Sequence, residues 1–250
     1  MSGHSHWARI KRAKAVTDAR RGRNWSRLAR AIIVAARSGG GDPDGNLSLR
    51  YAVEAARDEN MPKDTIERAI KKGTGELGGG SLEELVYEGY GPGGAALLCT
   101  VLTDNRNRTV PEIRRIFETH AGRIGAANSV AWMFKKRGVF LIAADKTDED
   151  ALTTIALDTG ADDVRALGEV FELSCDPAVF GAVRKALETA NIKPESAEVT
   201  MVASSNVTLE GHDAERMMKL IDELEGHDDT QSVVSNFELS QADAERLSSG

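Results

Sequence analysis

Cysteine is scarce, with two in 250 residues, Cys99 and Cys175, far apart in the chain and without a nearby histidine. That argues against a disulfide-built fold and against a cysteine-centred zinc site. Both lie in strand-like runs, so two buried, reduced thiols are the expectation. Long apolar runs are missing too: none approaches the roughly 20 residues that span a bilayer. Met1–Arg12 lacks the apolar centre of a secretory signal. Its Arg-rich, acid-poor character resembles an organellar transit peptide, yet it runs straight into a helical pattern. A cytoplasmic chain with no membrane partner is expected. No stretch satisfies GxxxxGK[ST], and Gly91-Pro92-Gly93-Gly94 precedes a strand rather than a helix, so a phosphate-cradling nucleotide loop is excluded. No Ser/His/Asp, Cys/His or isolated carboxylate pair stands out from the acidic background. Nothing in the residues asks for an enzyme or a cofactor.

Charge is abundant but unevenly spread. The net charge of −7 taken alone argues against a polyanion binder. Its distribution argues the other way. Residues 1–75 hold 16 Lys and Arg against 8 Asp and Glu, a net of +8. Residues 76–138 hold 8 against 7, or +1, and residues 139–250 hold 8 against 24, or −16. Within residues 1–37 there are ten basic residues and one acid, Asp18. Such segregation points a positive end at a polyanion and a negative end away from it.

Periodicity divides the chain into parts. Residues 1–75 read as a basic helical domain. Asn24 is placed to cap a helix whose Trp25, Leu28, Ala29, Ile32, Ile33 and Ala36 follow i, i+3, i+4, i+7 spacing. At about 100° per residue, Arg27, Arg30 and Arg37 gather on the opposite face as a rail of guanidinium groups. Asn46–Glu59 gives a second helix, burying Leu49, Val53 and Ala56. A third starts at Pro62 and stops at Gly73. After the Gly-rich stretch to Gly80 the pattern becomes α+β. Ala95–Leu102 is strand-like, Thr109 with Glu112 suggests a capping box for a helix ending near Gly122, and Ser129–Phe134 is the next strand. Residues 138–203 then run β-α-β-β-α-β, the split ferredoxin-like order. Asn206–Leu209, Ala214–Leu224 and Ser232–Glu238 repeat β-α-β. The expected fold is α+β multidomain: a helical N-terminal domain plus two ferredoxin-like α/β domains, the second inserted in the first. The boundaries are 1–75, then 76–137 with 204–240 as a discontinuous α/β domain, 138–203 as the acidic insertion, and 241–250 as a tail.

The first candidate for chemistry is the basic N-terminal surface: Lys11, Arg12, Lys14, Arg20, Arg21, Arg23, Arg27, Arg30 and Arg37. Such groups neutralise phosphates and release counterions. A solvated helix face is the plainer alternative, but the acids that would form i,i+4 pairs are nearly absent. Trp7, with His6, is a candidate for stacking on an unpaired base. The second candidate is Asp104-Asn105-Arg106-Asn107-Arg108, where Arg106 and Arg108 beside a helix start make either an anion-binding corner or simply a polar turn. Among metals, only a square-planar Cu(II) or Ni(II) site at Ser2-Gly3-His4 can be drawn, and an accidental spacing is the plainer explanation. His212 and His227, each in Gly-His-Asp, fit capping and turn roles.

Several stretches together resemble the YebC/PmpR family. They are Gly3-His4-Ser5 with Trp7 and Ile10-Lys11; Ala35-Ala36-Arg37 through Gly39-Gly40-Gly41-Asp42-Pro43; and Asn60-Met61-Pro62-Lys63-Asp64-Thr65-Ile66. They continue with Tyr87-Glu88-Gly89-Tyr90-Gly91-Pro92-Gly93-Gly94, Thr103-Asp104-Asn105-Arg106-Asn107-Arg108-Thr109, and Ser235-Asn236-Phe237. Departures are small: His6 stands where Lys is usual, and Arg12-Ala13 replaces a more polar pair. The resemblance implies three domains and no known enzymatic activity. It implies two competing roles, a DNA-binding regulator of transcription or a ribosome-associated factor that helps difficult peptide sequences through translation. Promoter DNA, ribosomal RNA and the ribosome are therefore the partners to consider. The residues favour RNA, because an Arg-faced helix lacks the Asn, Gln and Arg mixture that reads base edges in the major groove.

Overall fold

The computed structural model describes residues 18–77, 83–240 and 243, with side chains from residue 25 onward. Lys11, Arg12, Lys14, Trp7 and the Ser2-Gly3-His4 metal set, all singled out from the sequence, lie outside the described residues. The chain separates into two compact units. Phe134–Val202 form one, and the residues before and after them form the other.

The larger unit begins with three helices, α1 (Asp18–Gly39), α2 (Leu47–Asp58) and α3 (Lys63–Gly73). Asn24 lies inside α1 and does not cap it. The polar, helix-tolerant run from Asp18 to Arg23 continues the helix backward, so an internal Asn has no free N-terminus to serve. The apolar periodicity is realised as packing: Ile32, Ile33, Ala36, Leu49, Val53, Ala56, Ile66 and Ala69 are buried together. Asn46 holds the α1–α2 corner. Its side-chain oxygen accepts from the Leu49 N–H at 3.1 Å, while its amide donates to Ala35 O at 2.8 Å and Gly40 O at 2.9 Å. Gly73 sets the α1–α3 approach, because a Cβ there would meet Ile33 O at 2.6 Å and the Ala36 Cβ at 2.7 Å. Gly73→Ala should therefore cost about 2 kcal/mol through overpacking, read as a lower urea midpoint at unchanged slope.

The same unit carries a four-stranded antiparallel sheet. Its members are β1 (Glu83–Tyr90), β2 (Ala96–Thr103), β3 (Arg123–Ile124) and β9 (Thr230–Ser235), in the order β3-β1-β2-β9. Helices α4 (Arg106–Thr119) and α7 (Gly211–Gly226) supply Ile113, Phe117, Met217, Leu220 and Leu224 to its core. Strands β1 and β2 form a hairpin whose turn places Gly93 at φ 64°, and a Cβ at Gly93 would also lie 2.3 Å from the Leu209 side chain. A hairpin at this point departs from ferredoxin-like connectivity, where a helix separates the first two strands. The expected strand Ser232–Glu238 is in fact two. β9 pairs with β2, whereas β10 (Phe237–Leu239) pairs in parallel with β8 (Val207–Leu209). Asn236 makes the break: its side-chain oxygen accepts the Ala96 N–H at 2.7 Å in place of a strand neighbour.

The smaller unit follows the split ferredoxin-like order. Its strands β4 (Phe134–Ala143), β5 (Asp163–Leu167), β6 (Val170–Cys175) and β7 (Ser196–Ala203) stand as β5-β6-β4-β7. Helices α5 (Glu149–Thr159) and α6 (Phe180–Thr189) complete it, and the Phe140 and Phe180 rings stack at 4.6 Å. The expected strand Ser129–Phe134 is a loop with one short turn at Ala131–Met133, and β4 starts only at Phe134. Both cysteines are buried and free. Burial pushes the Cys99 thiol up to about 12 and that of Cys175 up to about 11, which leaves them protonated and unreactive at neutral pH. No helix among the described residues is long and apolar enough to cross a membrane.

Candidate nucleic-acid interface

Helix α4 starts four residues earlier than the Thr109–Glu112 pattern suggests. Asn105 is its N-cap, accepting the Arg108 N–H at 3.2 Å, and Thr109 is buried inside the first turn. The Thr109 hydroxyl and the Arg108 guanidinium both donate to Asp229 Oδ2, each at 2.7 Å. Arg30 of α1 lies 3.5 Å from Asp229 Oδ1 and donates to the Asp228 carbonyl. Asp229 is 4% exposed and comes from the segment between α7 and β9. Burial works against its ionisation, but the hydrogen bonds from Thr109, Arg108 and Thr103 outweigh that and hold its carboxyl below the ordinary range. His227 fixes the same segment: its Nδ1 accepts the Asp229 N–H at 3.2 Å, which leaves Nε2–H to donate to Glu112 at 3.0 Å.

The Arg106/Arg108 corner thus holds an anion of the chain's own. Arg106 is exposed and donates to Glu83 at 3.1 Å. Beside Asp229 opens a cleft of about 630 Å³ lined by Arg30, Arg108, Asp104, Glu112, His227 and Asp228, among others. Its acids outnumber its two arginines, so it has the wrong sign for a phosphate.

The expected rail on α1 is correspondingly divided. Arg30 is docked on the α/β part, whereas Arg27 is half-buried. Arg37 is exposed near the helix end. Arg20, Arg21 and Arg23 lie on the α1 backbone, their side chains outside the described residues. Helix α1 also approaches β9, the strand at one edge of the sheet.

Residues 82–237 match the family described as TACO1/YebC second and third domain, and residues 5–76 match the TACO1/YebC protein N-terminal domain. The chain belongs to the TACO1/YebC family. Two relatives, each named probable transcriptional regulatory protein, come from Pelotomaculum thermopropionicum and Geobacter sulfurreducens. Each is 52% identical; the first match covers 96% of this chain and 99% of the relative, the second 99% and 100%. A crystal structure of a conserved hypothetical protein from Aquifex aeolicus is similar at TM-score 0.84 and 43% identity, covering 94% of this chain and 98% of that one.

Three residues of this TACO1/YebC chain do not stand out in its sequence. Asp229 is hidden in an acidic stretch, Asp228-Asp229, that looks like any solvated turn. Glu88 is 8% exposed, and its carboxylate accepts the backbone N–H groups of Asn128 at 2.6 Å, Val130 at 2.8 Å and Ala131 at 2.7 Å. Trp132, by contrast, is 74% exposed on the loop that Glu88 holds. Within Val130-Ala131-Trp132-Met133-Phe134 it reads in the sequence as one more core residue.

Proposed function

We propose that this chain is a non-enzymatic nucleic-acid-binding regulator of gene expression, with the basic N-terminal domain making the main contact. The observation that carries the reading is the charge split, ten cations to one acid over residues 1–37 against a net −16 after residue 138. Lys11, Arg12, Lys14, Arg20, Arg21, Arg23, Arg27 and Arg37 are the proposed phosphate contacts, with Arg106 at the margin and Trp7 as a stacking residue. Arg30 and Arg108 act instead by positioning α1 through Asp229. The relatives' name, probable transcriptional regulatory protein, fits the reading in which promoter DNA is the target. The docked face of α1 favours the second reading, ribosomal RNA. A major-groove recognition helix must present its face freely, whereas a helix braced by Asp228 and Asp229 suits a surface that follows backbone shape. Sucrose-gradient co-sedimentation with ribosomes at moderate salt separates the two. Under the RNA reading the chain travels with ribosomes, and Arg27→Glu with Arg37→Glu reduces that fraction several-fold. A chain that stays at the top of the gradient while retarding promoter DNA decides for transcription.

A further inference from the structure

A tryptophan held with most of its ring in water presents a broad, rigid aromatic face to a partner. Trp132 is such a residue, and its surroundings hold it outward. Three N–H groups of its loop donate to the Glu88 carboxylate, and the Trp132 Nε1–H donates to Ser129 O at 3.2 Å. The Tyr90 hydroxyl donates to that same carbonyl, also at 3.2 Å. Over the Tyr90 ring, 5.1 Å from its centroid, lies the guanidinium of Arg123, itself on an exposed residue. The indole is therefore pinned at its polar edge, and a cation stands on the neighbouring ring. An immobilised aromatic face, linked through the Ser129 carbonyl and the Tyr90 ring to a guanidinium, suits an unpaired nucleotide: a surface for the base and a charge for its phosphate.

From this geometry we infer that Trp132, with Arg123, forms a stacking site for an unpaired nucleobase. The inference rests on the nucleic-acid reading above and specifies its ligand as a loop, bulge or single strand. Duplex nucleic acid keeps its bases stacked on one another and offers this site only backbone. Pinning matters energetically, because the ring loses little rotamer freedom when a base settles on it. Arg123 contributes through the phosphate, so its removal weakens loop and duplex binding to different degrees than removal of the ring.

The test measures the affinity of the full chain for two RNAs of equal length, a hairpin with an unpaired loop and a blunt duplex. It compares the wild type with Trp132→Ala and Trp132→Phe. Trp132→Ala should weaken hairpin binding about tenfold or more, leave duplex binding unchanged, and Trp132→Phe should recover most of the loss. Equal hairpin affinity in wild type and Trp132→Ala overturns the stacking site while leaving the nucleic-acid reading intact. Wild-type chain that binds neither RNA nor DNA overturns both. Loss of a protein partner, with hairpin affinity unchanged, assigns the tryptophan to protein contact and likewise overturns the inference.

Discussion

Asp229→Ala is expected to destabilise the larger unit by about 2–3 kcal/mol, the range for losing charge-assisted hydrogen bonds at a buried acceptor. The carboxylate is the shared partner of Arg108 and Thr109 of α4 and Arg30 of α1. Its removal leaves the buried Thr109 hydroxyl with Thr103 and Asn105 as partners, Arg108 with Asp104 and Glu112, and Arg30 with the Asp228 carbonyl. The consequence distinctive of this arrangement is that α1 loses the ion pair that helps to anchor it, so hydrogen exchange should rise along α1 more than along α2. Asp229→Asn keeps the shape and one acceptor, and should cost less. The pH dependence follows from the sign of the shift. A carboxyl held below its ordinary value stabilises fully above the unfolded-chain value of about 4, and that contribution disappears as pH falls through the lowered folded value. Wild type should therefore lose its advantage over Asp229→Asn only below about pH 4, in urea titrations followed by circular dichroism.

Glu88→Ala should cost about 3 kcal/mol and act locally. It strands three backbone N–H groups that the carboxylate now satisfies, two of them on Val130 and Ala131 next to the exposed indole. Burial opposes the charge on Glu88, but those N–H groups outweigh it and hold its carboxyl below the ordinary range, so this contribution also fades only in acid. Amide exchange at Asn128, Val130 and Ala131 should accelerate by roughly a hundredfold in the variant. Protection equal to wild type would show that the loop holds its shape without the carboxylate. Because Glu88 braces Trp132 without facing solvent, the same substitution should also weaken hairpin RNA binding, by less than Trp132→Ala does.

What the sequence made legible was mostly local. The second and third helices, with Leu49, Val53, Ala56, Ile66, Ala69 and Ile70 inward, follow from apolar spacing, and the structure buries all of these but Ile70, which is half-buried. The β-α-β-β-α-β run was likewise visible, since each of its elements is bounded by a turn or cap such as Asp148 or Gly160. Boundaries failed where a side chain far away in sequence decided them. Asn105 rather than Thr109 caps α4 because Thr109 is drawn inward by Asp229, 120 residues on. Ser232–Glu238 splits because Asn236 answers to Ala96, 140 residues back. The arginine rail is legible as a face of one helix, but periodicity carries no information about what stands opposite. Only the fold shows that Asp228 and Asp229 do. Glu88 and Trp132 escape for the same reason, since a buried acid and an exposed indole invert the usual expectation for each residue type.

The most direct test of the central claim is the salt dependence of binding between the full chain and a hairpin RNA, from about 50 to about 300 mM KCl. With roughly five phosphates neutralised by the N-terminal cations, the logarithm of the binding constant should fall against the logarithm of salt with a slope of about −3.5 or steeper. Removing Lys11, Arg12 and Lys14 together should flatten it by about two. A slope near zero, or one unchanged by those substitutions, would contradict a nucleic-acid regulator that works through its basic N-terminal domain.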